Sequence, residues 1–199
     1  MIPFNSLSPA PIAGDFLPPR SYDTVRTRSR ERGGVDVQDI SQGNDYQDWE
    51  AYWDPDSLSI KLRSLGNARE YTLVSGLVDI EALSFCFNSN LDWNLVYKET
   101  DEDWRFTYYS TTAQQRVTEM LAPDVVTPKL FLDIKTITMT GEADAILTYV
   151  RGTSLCYRQQ RDRFEIEHVL KTGLRSGSEI RRFGMSTTNR LQWLFEKRI

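Results

Sequence analysis

Apolar and polar residues alternate along much of this chain, and the alternation predicts strands. Leu58, Ile60 and Leu62 interleave with Ser59, Lys61 and Arg63, the period of a half-buried strand. Tyr71 to Ile80 predicts a second strand, with a short helical turn over Ile80 to Phe85. Leu91, Trp93, Leu95 and Tyr97 alternate on one side of Glu99 to Asp103, and Trp104, Phe106 and Tyr108 on the other. That layout predicts a hairpin with an acidic turn. Leu130, Leu132 and Ile134 predict another strand, as do Leu155 with Tyr157, Ile180 to Phe183, and Leu191, Trp193 and Phe195.

Helical spacing shows in fewer places. Thr111 to Leu121 carries Val117, Met120 and Leu121 on one side, with Pro123 as a stop, and predicts a helix. Tyr46, Trp49, Tyr52 and Trp53 sit among acids in Asp45 to Asp56 and would share one face of a short helix. Such a stripe either docks on the chain's own core or anchors a neighbouring subunit, since aromatic residues dominate interface hot spots. Residues 141–151 and 161–171 fit helix and strand equally well.

Residues 1–48 break the pattern. They hold Pro3, Pro9, Pro11, Pro18 and Pro19, which fix φ and remove backbone donors, so no regular helix or inner strand is expected there. No internal repeat is legible beyond this arm. The expected fold is mainly β, an antiparallel sandwich or barrel-like body over 49–199 with one or two short helices, preceded by the extended arm 1–48.

Composition supports one self-sufficient core. A chain of 199 residues with a 40% hydrophobic share needs no disulfide or metal to hold it together. Cys86 and Cys156 lie in apolar runs and read as buried thiols. No apolar stretch approaches the length of a membrane-spanning helix, and the composition fits an intracellular product or a virion component. The net charge is −4, but the two ends oppose each other: residues 1–56 hold 5 basic and 10 acidic side chains, and residues 151–199 hold 11 and 5. Such polarity suits a chain that meets complementary charge on another copy of itself or on another protein.

Candidate chemistry is sparse. His168 is the single histidine, which excludes a histidine-based metal cluster, and two cysteines cannot build a four-cysteine site. Neither a nucleotide-binding glycine motif nor a nucleophile elbow is present, so no cofactor is expected. Pro123-Asp124, followed by Asp133-Ile134-Lys135, resembles the P-D…(D/E)-x-K pattern of a large nuclease superfamily. The resemblance implies that Asp124 and Asp133, on adjacent strands, would hold Mg²⁺, with Lys135 orienting water and Glu119 as an additional acid. The competing reading makes Asp133 and Lys135 solvent-facing strand positions.

Arg26, Arg28, Arg30 and Arg32 form a basic cluster that would suit phosphate, in nucleic acid or at an anionic membrane, or acidic groups of a neighbouring subunit. Ser8-Pro9-Ala10-Pro11 and Pro18-Pro19-Arg20-Ser21-Tyr22 are near-misses to short budding-type motifs. Together these features favour a non-enzymatic structural or assembly protein. Its partner-binding residues would be the four arginines with Tyr46, Trp49, Tyr52 and Trp53. A matrix-type protein on membrane or RNA and a Mg²⁺-dependent nuclease are the alternatives.

Overall fold

The computed structural model of the chain describes residues 30–39, 43–64, 69–88, 92–133, 144–185 and 191–197. Sheet 1 comprises β1 (Arg30–Asp39), β2 (Gly43–Asp54), β3 (Ser59–Ser64) and β4 (Glu70–Ser75) in sequential order. Sheet 2 repeats that meander with β5 (Ile80–Phe87), β6 (Trp93–Glu99), β7 (Trp104–Ser110) and β8 (Gln115–Met120). Sheet 3 repeats it again with β9 (Val125–Asp133), β10 (Asp144–Arg151), β11 (Ser154–Gln159) and β12 (His168–Lys171). β13 (Ser178–Met185) and β14 (Leu191–Lys197) form sheet 4. All pairings are antiparallel. The expected mainly β fold is what the chain adopts. Among the described residues the only helical turn is Gln160–Asp162.

The sheets stack face to face in series, with a core in each gap. Between sheets 1 and 2, Ala51, Trp53, Ile60 and Leu62 meet Leu83, Phe85, Leu95 and Tyr97. Between sheets 2 and 3, Cys86, Val96 and Phe106 meet Leu130, Ala145, Leu147, Tyr149 and Cys156. Between sheets 3 and 4, Phe131, Ile146, Val150 and Leu155 meet Ile180, with Trp193 and Phe195 alongside. Neighbours along one strand therefore serve different cores. On β6, Leu95 and Tyr97 point to sheet 1 and Val96 to sheet 3; on β10, Leu147 points to sheet 2 and Ile146 to sheet 4.

Each fully buried side chain of this kind contributes roughly 1.5–3 kcal/mol, against about 0–1 kcal/mol for an exposed ion pair. Stacking, not surface charge, holds the sheets together.

Successive sheets approach most closely at their first strands: β1 lies against β5, β5 against β9, and β9 against β13. Blades of a propeller converge on their axis in the same way. Each linker then folds back on its own sheet through a leucine amide. Leu77 N donates to Leu58 O (3.1 Å), Leu121 N to Trp104 O (2.8 Å) and Leu174 N to Thr153 O (2.8 Å). First strands begin at residues 30, 80, 125 and 178, a pitch of about 50 residues. The chain is thus built on a repeated unit, contrary to the sequence reading.

Other expectations are corrected. Asp45 to Asp56 is not a helix but most of β2, whose register is fixed on both sides by β1 and β3. Thr111 to Leu121 is a turn followed by β8, where Val117 pairs with Tyr108 and the Thr107 and Thr118 hydroxyls hydrogen-bond at 2.8 Å. Pairing with β7 outweighs the helical spacing, and β-branched Val117 and Thr118 favour that outcome. Ile80 to Phe85 is strand β5 rather than a helical turn; of the two segments left open between helix and strand, 144–151 is strand β10 and His168–Lys171 is strand β12. The expected arm 1–48 lies outside the described residues up to 29, and its later part contributes the backbone of β1 and the start of β2. All the prolines of the expected arm precede residue 20, so nothing in 30–54 forbids pairing. The acidic hairpin stands as expected: β6 and β7 are joined by residues 100–103, with Asp101 at φ +64°.

Candidate functional site

Two of the charged constellations among the described side chains contain sequence candidates, while a third, Arg105 with Glu99 and Glu102, closes the acidic hairpin. The first covers the face of sheet 1 turned away from sheet 2. Strand alternation sends Trp53 inward, only 2% exposed, and leaves Tyr52 outward. Tyr52 donates its hydroxyl to Glu70 Oε2, Lys61 Nζ meets Asp54 Oδ2 at 2.6 Å and Glu70 Oε1 at 3.3 Å, and Arg63 Nη2 meets Glu50 Oε2 at 2.7 Å. The Arg63 guanidinium also lies over the Tyr52 ring, 5.2 Å from its centroid.

This geometry sets the titration of the face. The hydrogen bonds from Lys61 and Ser57 hold the Asp54 carboxyl at about 2. Burial, reinforced by the bond to Glu70, pushes the Tyr52 phenol up to about 12. Glu70 is lowered chiefly by the bond from Tyr52. With carboxylates at Glu50, Asp54 and Glu70 against cations at Lys61 and Arg63, the face is charge-interleaved and slightly acidic.

The second constellation joins sheets 2 and 3. Glu119 on β8 accepts from Arg158 Nη1 at 2.8 Å, and Arg158 Nε lies 3.2 Å from the Tyr149 hydroxyl. Tyr149 donates to Glu167 Oε2 at 2.6 Å, while Arg151 bridges Glu167 (3.2 Å) and Asp124 (3.0 Å). Burial raises the Glu119 carboxyl and the Tyr149 phenol above their usual ranges.

Here the nuclease-like residues come apart. Asp124 immediately precedes β9 and Asp133 ends it, so about 30 Å of extended chain separates two groups that would have to share one ion. Asp124 is already engaged by Arg151 and Glu119 by Arg158, and Lys135 lies outside the described residues. No group of three potential metal ligands occurs among the described residues.

His168 is held by Asp162 at 2.7 Å and stacks on Tyr157, with ring centroids 4.9 Å apart. No family model, curated protein or solved structure matches this chain. The site therefore has to be read from its own geometry.

The partner-binding candidates are divided as well. Arg26 and Arg28 lie outside the described residues; Arg30 and Arg32 begin β1, opposite Tyr52 and Glu50 in register. Tyr46 stands opposite Asp36 on β2. Trp49 packs against the rings of Tyr71 and Phe87 at about 6 Å, and Trp53 is sealed in the core, so the chain's own body takes up both tryptophans. Tyr52 alone of the described aromatic set faces outward. Sequence reasoning missed the Glu50–Arg63 and Lys61–Glu70 partners because helical spacing was assigned to β2. Read with a period of two, Glu50, Tyr52 and Asp54 fall on one face and Trp49, Ala51 and Trp53 on the other.

Proposed function

We propose that this chain is a non-enzymatic structural or assembly protein, a virion or phage component of the coat, tail or neck type, that binds neighbouring subunits through the segment preceding β1. One observation carries the reading. Among the described residues β1 is an edge strand of sheet 1, and its first residue, Arg30, pairs in register with Tyr52 while Arg32 pairs with Glu50. Arg26 and Arg28 precede β1 in sequence, and the outer face of sheet 1 carries the partly exposed carboxylates Asp54 and Glu70 beside the buried Glu50 and its partner Arg63. Docking of Arg26 and Arg28 on the corresponding face of an adjacent copy would be a charge-assisted contact, sensitive to salt. A body of sheets stacked in series also suits side-by-side packing, since its ends present sheet faces and its rim presents strand edges.

The test is solution mass by light scattering for the full chain, for a variant lacking residues 1–29, and for the double variant Arg26→Glu, Arg28→Glu. Removal of 1–29 is the proper truncation, because cutting at 48 would remove β1 and half of β2. Both changes are expected to lower the mass by at least one subunit. Unchanged mass in both overturns the proposal.

A further inference from the structure

Eight large apolar side chains are exposed among the described residues, and five of them fall in two patches of opposite charge. The first patch lies where sheets 1 and 2 turn. Leu58 sits between β2 and β3, and Val78, 82% exposed, sits between β4 and β5. Hydrogen bonds stitch both to the β6–β7 turn: Leu77 N donates to Leu58 O at 3.1 Å, Val78 N to Glu99 Oε2 at 3.0 Å and Thr100 N to Asp79 O at 3.2 Å. The same turns carry Asp56, Asp79, Asp101 and Asp103, none of which forms an ion pair among the described residues. The second patch is the rim of sheet 3. Ile166, Val169 and Leu170 are exposed along β12 and the residues leading into it, and the exposed cations Lys171 and Arg175 follow. Lys171 pairs in register with Leu155, and the Leu174 amide is bound to Thr153 O, so both cations sit at the β10–β11 turn end of the sheet. Neither forms an ion pair among the described residues.

We propose that the acidic patch of one copy of this chain docks on the basic rim of a second copy. Leu58 and Val78 meet Val169 and Leu170 at the centre, and the aspartates face Lys171 and Arg175 at the margin. An apolar centre with a polar margin is the ordinary layout of a protein interface, and opposed charge fixes which surfaces meet. Each patch supplies the charge that the other lacks. An anionic lipid surface would satisfy the rim alone, whereas a second copy satisfies both patches. The outward face of sheet 1 is a poorer receptor for the rim, because its carboxylates are already engaged by Lys61, Arg63 and Tyr52. The two patches are different surfaces, so the contact can repeat from copy to copy, closing a ring or continuing as a filament. The proposal rests on the reading that copies of this chain associate, and its contact is separate from the segment before β1.

The experiment uses the full chain at low salt and reads mass by sedimentation equilibrium. One variant carries Lys171→Glu with Arg175→Glu, and a second carries Asp56→Lys with Asp103→Lys, all outside the three cores. Each variant alone is expected to lose at least one subunit of mass relative to the parent. A 1:1 mixture is expected to regain the parent mass, since the reversed rim then meets the reversed patch. That rescue excludes misfolding as the cause of the loss. Variants that keep the parent mass overturn the proposal and leave association through the segment before β1 standing, as does a mixture that restores nothing. A parent that is monomeric at every concentration overturns both. Co-sedimentation of the parent with phosphatidylserine vesicles, abolished by Lys171→Glu with Arg175→Glu while the mixture restores no mass, would assign the rim to lipid and overturn the proposal.

Discussion

Leu130 donates its backbone N–H to Ser84 Oγ at 3.0 Å, across the gap between the first strands of sheets 3 and 2. Ser84 is fully buried, so this edge amide has a hydroxyl where an unpaired strand would need water. The device recurs one step later, where Ile180 N donates to Thr127 Oγ1 at 2.8 Å and ties β13 to β9. Thr127 sits at φ +46° beside Pro128 in a bulge of β9, which turns the strand and leaves Pro128 no ladder bond to lose. The first strands of sheets 2, 3 and 4 are thus linked by hydroxyls, while apolar faces fill the gaps outside them.

Ser84→Ala should destabilise the chain by about 1–3 kcal/mol, because the Leu130 amide stays buried without its acceptor. For a protein of this size that is a fall in Tm of roughly 2–4 °C per kcal/mol. Hydrogen exchange at Leu130 should accelerate more than at Leu147, its partner on β10. Equal acceleration at both would mean that the hydroxyl does not act locally.

Phe106 is fully buried and packs edge-on against Phe164 at 4.9 Å. Phe106→Ala should cost about 3–5 kcal/mol in chemical denaturation. Met120, 65% exposed on the rim, is the contrast: Met120→Ala should stay within about 0.5 kcal/mol of the parent. Similar losses at the two positions would contradict the stacked-sheet core.

Acid should weaken sheet 1 through Asp54. Its folded value of about 2 lies below the ordinary 3.8, so its contribution is fully present above 3.8 and is lost as pH falls towards 2. Comparing urea midpoints at pH 5 and pH 2.5, the drop should be smaller in Asp54→Asn than in the parent. An identical drop would remove Asp54 from the acid transition.

Tyr52 acts in the opposite direction. With its phenol raised from 10 to about 12, the contribution is present below pH 10 and is lost as pH rises through 12. In a tyrosinate absorbance titration, the difference between the parent and Tyr52→Phe should appear near pH 12. A difference near pH 10 would mean that the Tyr52 phenol is neither buried nor bonded to Glu70 in solution.

Strand content was legible wherever one face of a strand meets solvent or a turn is chemically marked. Ile60 and Leu62 against Lys61, and the acidic turn after Glu99, gave their elements away. The inner sheets were harder to read because both of their faces are buried. In Ala145 to Val150, consecutive residues feed different cores, so the period of two disappears and a helix fits as well. The repeat was hidden for a related reason: its signature is not a shared motif but a leucine three or four residues before each new first strand, Leu77, Leu121 and Leu174. In β2, four rings among acids imitated a helical stripe, although two of the rings and two of the acids belong to opposite faces of a strand. The nuclease-like pattern could not be weighed from spacing, since sequence does not reveal that Asp124 and Asp133 flank one strand or that Asp124 and Glu119 are engaged by Arg151 and Arg158.

The central claim is that this chain works by associating with other subunits, and its mass in solution tests that most directly. Sedimentation equilibrium of the full chain should return a multiple of 23.0 kDa, with the larger species receding as salt is raised. A single 23.0 kDa species at every salt and protein concentration would contradict the account.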